Sequence, residues 1–132
     1  MEKYLMLILF SYFMNDISKQ DQKIAKMTFA SIYPHYVIKV EKKNRSKDEL
    51  HKVIEWLTGF NFEQLEKFIE QNITFETFFM NATLNKNSHL ITGTICGIKL
   101  EEIKNPITKQ VRYLDKLVDE LAKGRELDKI LR

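Results

Sequence analysis

Apolar residues recur at helical spacing along most of the chain. Phe29, Ile32, Tyr33, Tyr36, Val37 and Val40 share one face and predict a first core helix. Lys39, Glu41, Lys42 and Lys43 take the opposite face, and Pro34 falls near the start, where a missing N–H is tolerated. The helix should stop near Asn44. Ser46 is placed to cap the next helix, and Glu49 three residues on completes a capping box. Leu50, Val53, Ile54 and Leu57 form its buried stripe, and Gly59 stands where a helix-ending glycine belongs. Asn61 caps a third helix with Phe62, Leu65, Phe68 and Ile69 on one face, and Thr74 caps a short one carrying Phe75, Phe78 and Phe79. Asn105-Pro106 is the strongest start signal in the chain. Ile107, Val111, Leu114, Leu117, Val118 and Leu121 then keep helical period until Gly124, and Leu127, Ile130 and Leu131 suggest a last short turn.

Two stretches break this pattern. Leu90–Leu100 (LITGTICGIKL) favours a strand by propensity, with Thr92, Thr94, Ile95 and Ile98. No second strand is evident elsewhere, and a lone strand leaves its backbone groups unpaired. The expectation is a short helix plus a tightly packed turn, with at most one short extended pairing. Tyr4–Met14 (YLMLILFSYFM) is apolar except for Ser11, about half the roughly 20 residues a membrane span needs. Three readings stand for it: a signal-peptide core, a short helix docked on the protein or a partner, or an extension arising from a translation-start artefact, with the native start at Met14. Residues 15–28 are polar and read as a lead-in to the first core helix.

Composition narrows the classes. At 132 residues the chain suits one domain that buries a core without staples. Four glycines and two prolines argue against a turn-dense all-β fold, and one cysteine excludes an intrachain disulfide. Net charge is only +3, too small to name a polyanionic partner. The expected fold is therefore all-α: a compact orthogonal bundle of about five to six short helices over residues 23–132, preceded by an extension over residues 1–22.

Four ordered blocks resemble the bacterial domain-of-unknown-function family 2200. They are Tyr33–Phe60 (YPHYVIKVEKKNRSKDELHKVIEWLTGF), Thr74–Phe79 (TFETFF), Leu90–Ile103 (LITGTICGIKLEEI) and Arg112–Gly124 (RYLDKLVDELAKG). The resemblance implies a small, compact all-α domain with no assigned activity, cofactor or catalytic residue, so it transfers no functional residue. Members begin close to Lys23–Met27, and residues 1–22 depart from the pattern.

No chemical signature stands out. Cys96 has no basic residue nearer in sequence than Lys99 and reads as a small buried thiol. His51 lies four residues before Glu55 on one helix face, a surface hydrogen bond more than a metal pair, and no cofactor or metal is implied. Lys39, Lys42, Lys43, Arg45 and Lys47 cluster around the first interhelical turn, the one footprint for nucleic acid; Glu41 interrupts it, and Asp48 and Glu49 follow it. Arg112, Asp115, Lys116, Asp119 and Glu120 alternate in sign and read as a solvated face.

The function read from these features is a cytoplasmic, non-catalytic module for protein interaction or ligand binding. His35, Tyr36, Trp56, Arg112, Tyr113 and Asp115 are its candidate binding residues. A small enzyme assembled around His35, Trp56, Arg112 and Asp115 is the alternative, and nucleic-acid binding through Lys39–Lys47 the third reading. The partner is an unidentified protein or small molecule, or a second copy in a homodimer. No membrane span is expected.

Overall fold

A computed structural model describes residues 2–132, without the side chains of residues 2–4 and 10–15. Among the described residues there are seven α-helices: α1 (Glu2–Lys26), α2 (Phe29–Glu41), α3 (Lys47–Thr58), α4 (Phe62–Glu70), α5 (Phe75–Asn81), α6 (Pro106–Ala122) and α7 (Leu127–Ile130). Two 3-10 turns, Ser88–Leu90 and Leu100–Glu102, flank a minimal hairpin of β1 (Thr94–Ile95) and β2 (Ile98–Lys99). The all-α reading is what the chain adopts, with one long helix at its start.

The helix boundaries follow their caps. Ser46 and Glu49 close a reciprocal capping box on α3, and Asn61 and Gln64 do the same on α4. Asn105 accepts from the Thr108 backbone N–H ahead of Pro106 at the first position of α6. Pro34 sits deeper than expected, in the second turn of α2, which begins at Phe29. Thr28 and Thr74 cap α2 and α5 and also pair with each other as an isolated bridge. Phe29 N–H donates to the Ile73 carbonyl and Phe75 N–H to that of Met27, so this bridge ties the two helix starts together.

α6 is the axis of the fold. It packs against α1, α2, α3, α5, α7 and the hairpin, burying Val111, Leu114, Leu117, Val118 and Leu121. A second centre is aromatic: Phe78 stacks on Phe29 with ring centroids 4.6 Å apart and meets Phe60, Phe68, Phe75 and Phe79 edge-on. Edge-on and offset pairs of this kind add to simple area burial.

Three expectations are corrected. Leu90–Leu100 is not a helix and turn: after the 3-10 turn it folds back on itself, pairing Thr94 with Lys99 and Ile95 with Ile98. The missing strand partner lies within the segment, because Cys96 (φ 52°) and Gly97 (φ 77°) both take left-handed backbone and close a two-residue turn. Cys96 is consequently exposed, not buried. Residues 15–26 are not a separate lead-in but the second half of α1, whose Ile24 enters the core.

Candidate functional site

The face of α6 that reads as solvated is a polar seam against its neighbours, the fourth correction. Tyr36 on α2 donates its hydroxyl to Asp115 Oδ1 at 2.6 Å, and Arg112 Nη1 donates to Asp115 Oδ2 at 3.1 Å. One turn on, Asp119 pairs with Lys39 of α2 at 3.1 Å and with Lys123 at 2.9 Å. Glu120 is buried and held by Arg132 at 2.6 Å and Arg125 at 3.0 Å. Lys116 Nζ donates to the Thr94 carbonyl, fastening the hairpin to α6. α6 is surrounded on most sides, so Glu120 is buried and Arg112, Asp115, Lys116 and Asp119 are half-buried against other elements.

These contacts set the local proton equilibria. Burial, then the negative charge of Asp115, pushes the Tyr36 phenol well above its ordinary value, so it stays a hydrogen-bond donor. Partial burial pushes the Asp119 carboxyl up, but hydrogen bonds from Lys123 and Lys39 outweigh it and leave the group below its ordinary value.

Of the six candidate binding residues the fold brings three together: Tyr36, Arg112 and Asp115. His35 is exposed on α2 and borders a shallow groove of about 690 Å³ with Lys39, Lys42, Lys43 and Lys123. Trp56 is half-buried on α3 against the core. Tyr113 is buried with Lys109 Nζ 6.0 Å from its ring centroid. Neither Trp56 nor Tyr113 borders the groove or the cleft described below.

The basic cluster is divided: Lys39, Lys42 and Lys43 border the groove, while Arg45 is drawn into the fold. Lys39 is paired with Asp119. Arg45 is a strut: its Nη1 donates to the carbonyls of Leu121 and Arg125 at the end of α6, and its Nε and Nη2 donate to Glu49. The Arg45 hydrogen bonds hold the Glu49 carboxyl down at about 2. His51 bonds not to Glu55 but to the Tyr33 hydroxyl, its ring lying between those of Tyr33 and Phe62. Among the described residues no group of three His, Cys, Asp or Glu side chains is placed to hold a metal ion.

A cleft of about 970 Å³ opens between the second half of α1, the hairpin and the start of α6. Ile17 and Ile24 of α1, Ile98 of β2, and Ile103 and Ile107 at the entry to α6 supply its apolar walls. Asp21 accepts from the Thr108 hydroxyl at 2.7 Å where α1 meets α6. Arg112 also lines the cleft, and its buried Nε has no hydrogen-bond partner among the described residues. The cleft was not legible in the sequence; its one early signal is the spacing of Ile17, Ile24 and Asp21, which falls on one side of a continuous helix.

At the start of α1 the described side chains are exposed. Leu5, Met6, Leu7, Ile8 and Leu9 are each 57–69% exposed. The readings for the apolar start concern Tyr4–Met14, of which the side chains of Tyr4 and of residues 10–14 lie outside the described residues. Among the described residues no helix is long and apolar enough to cross a membrane.

Comparison with known proteins gives one family and one solved structure. The chain is similar to the protein of a structure titled "Crystal structure of uncharacterized protein SP1917". The two are 38% identical over 83% of this chain and 91% of that one, with a TM-score of 0.78. A comparison with curated proteins found no match. Residues 23–132 match the family DUF2200, described as "Uncharacterized protein conserved in bacteria". That span takes in α2–α7, the hairpin, the Tyr36–Asp115–Arg112 cluster and the inner wall of the cleft, and the chain belongs to this family.

Proposed function

We propose that the protein is a non-catalytic binding module whose ligand or partner enters the cleft between α1 and the start of α6. The observation that carries this is the cleft itself: five isoleucines form its walls, and Arg112 is among the polar residues that line it. Concave, mainly apolar sites with a few oriented polar groups are the usual form of a binding pocket. The catalytic alternative has less support. Asp115 is engaged by both Tyr36 and Arg112, and neither His35 nor Trp56 bonds to that cluster, so among the described residues no free acid, base and nucleophile converge there. Nucleic-acid binding is likewise weakened by the use of Lys39 and Arg45 in the fold's own contacts.

The test is titration of the full chain with 1-anilinonaphthalene-8-sulfonate, an apolar anion whose fluorescence rises on burial. Saturable binding is expected, weakened at least tenfold by Ile103→Glu, which places a carboxylate in the cleft wall. Binding that Ile103→Glu leaves unchanged would overturn the assignment to this cleft.

A further inference from the structure

Charge on this protein is unevenly placed. The chain has 21 lysines and arginines against 18 acidic residues. Four of the lysines, Lys39, Lys42, Lys43 and Lys123, line the groove beside His35, and Asp119 is the one carboxylate among its described lining residues. Elsewhere the two signs balance at 17 each, so the groove holds the whole excess of +3. The acidic residues that interrupt or follow the basic cluster in the sequence are turned elsewhere by the fold. Glu41 and Asp48 do not line the groove, and their charges act on Tyr33 and His51. Glu49 is held by Arg45.

The cations of the groove are not used up by the fold. Lys39 and Lys123 share Asp119, two ammonium groups on one carboxylate. Lys42 and Lys43 are exposed and enter no ion pair among the described residues. Both stand at the end of α2, where lysines often serve the last helix carbonyls. Here those carbonyls are already bonded: Ile38, Val40 and Glu41 each accept a backbone N–H from residues 42–45. Like charges gathered in one groove raise the local positive potential and draw anions to it.

The geometry points to a second site, separate from the α1 cleft: the groove takes a small organic molecule that carries two phosphate groups. Two phosphates bring about −3 to −4 at neutral pH, which matches the excess. Lysine binds phosphate as a point charge, without the planar fit that arginine requires. His35 adds a ring N–H donor, and Ile38, 51% exposed, offers an apolar surface to the organic part. Nucleic acid is a poorer match, because its backbone needs a track of contacts, whereas Arg45 and Lys47 do not line the groove. An acidic peptide spreads single charges over several residues, while Lys39, Lys42 and Lys43 concentrate theirs in little more than one turn of α2.

The test is calorimetric titration of the full chain with ADP in magnesium-free buffer. Saturation below about 1 mM is expected, with competition by inorganic pyrophosphate. Lys42→Gln/Lys43→Gln should weaken binding at least tenfold with an unchanged thermal midpoint, since neither lysine has an ion pair to lose. Lys47→Gln/Lys52→Gln removes the same charge outside the groove and should leave the affinity within twofold. AMP, with one phosphate, should bind at least fivefold more weakly than ADP. Ile103→Glu should leave ADP binding within twofold, so failure of the groove and failure of the binding-module reading are told apart. Absence of saturation by ADP, equal losses in the two lysine pairs, equal affinity for AMP, or a loss with Ile103→Glu would each overturn the site. A single-stranded oligonucleotide of about 20 residues that binds through Lys42 and Lys43, with no binding of ADP, would overturn it in favour of nucleic acid.

Discussion

Tyr36 and Asp115 are separated by 79 positions in the chain and joined by a 2.6 Å hydrogen bond across the α2–α6 interface. The phenol is buried and protonated, and the carboxylate is shared with Arg112. Tyr36→Phe removes a bond to a charged acceptor and should cost about 1.5 kcal/mol in urea denaturation. Asp115→Asn should cost more, since Arg112 then loses its carboxylate. A double-mutant cycle should return a coupling of about 1 kcal/mol or more, whereas additive effects would mean that the bond contributes nothing net.

The carboxylate of Glu120 depends on the chain's last residue. Arg132 donates to both Glu120 oxygens and Arg125 meets one of them. Breaking a buried pair costs about 3–5 kcal/mol. With Arg125 still present, Arg132→Ala should lose about 2 kcal/mol, read as a lower thermal midpoint. Glu120→Gln should be milder than Arg132→Ala, because it removes the charge that needs a partner.

His51 gives the fold a pH dependence of known sign. Burial, then Lys47, hold its pKa below the ordinary value of 6.5. The unfolded chain therefore takes up this proton at a higher pH than the folded one. The contribution to stability is complete above pH 6.5 and is lost as pH falls from 6.5 through the lower, folded value. The urea midpoint should drop over that window and should drop less in His51→Gln, which keeps a polar partner for Tyr33. Equal slopes in the two proteins would assign the dependence to other groups.

Glu49 acts further down the scale. Held at about 2 against an ordinary 4.5, it contributes stability above pH 4.5 that disappears as pH falls from 4.5 towards 2. Arg45→Met should remove most of this acid sensitivity. It should also destabilise the protein at pH 7, by about 1–2 kcal/mol, through loss of the Arg45 hydrogen bonds to the Leu121 and Arg125 carbonyls.

Trp56 is half-buried, so Trp56→Ala should cost about 2 kcal/mol, less than the ~3–5 kcal/mol of a fully buried ring. A chain beginning at Met14 retains Asp21 and Ile24, the residues of α1 that bond Thr108 and enter the core. It should melt within about 4 °C of the full chain, a change of about 1 kcal/mol or less. A larger loss would make residues 1–13 part of the folding unit.

The local elements were written in the sequence because each rests on residues close together in the chain. Ser46 with Glu49, Asn105 with Pro106 and the left-handed Gly59 each mark a helix end through a backbone demand that three or four neighbours satisfy. The apolar stripes of α3 and α6 were legible for the same reason, and together they determined an all-α class. What the tertiary structure decided was where polar faces point. Arg112, Asp115, Asp119 and Glu120 repeat like a solvated face, yet α6 is enclosed, and each meets a partner up to 80 positions away. The hairpin at Cys96 and the cleft beneath α1 were hidden likewise. One depends on a strand pairing with its own continuation, the other on how far α1 stands from α6. Periodicity reports which side of an element is apolar; it carries no information on what the fold sets against the other side.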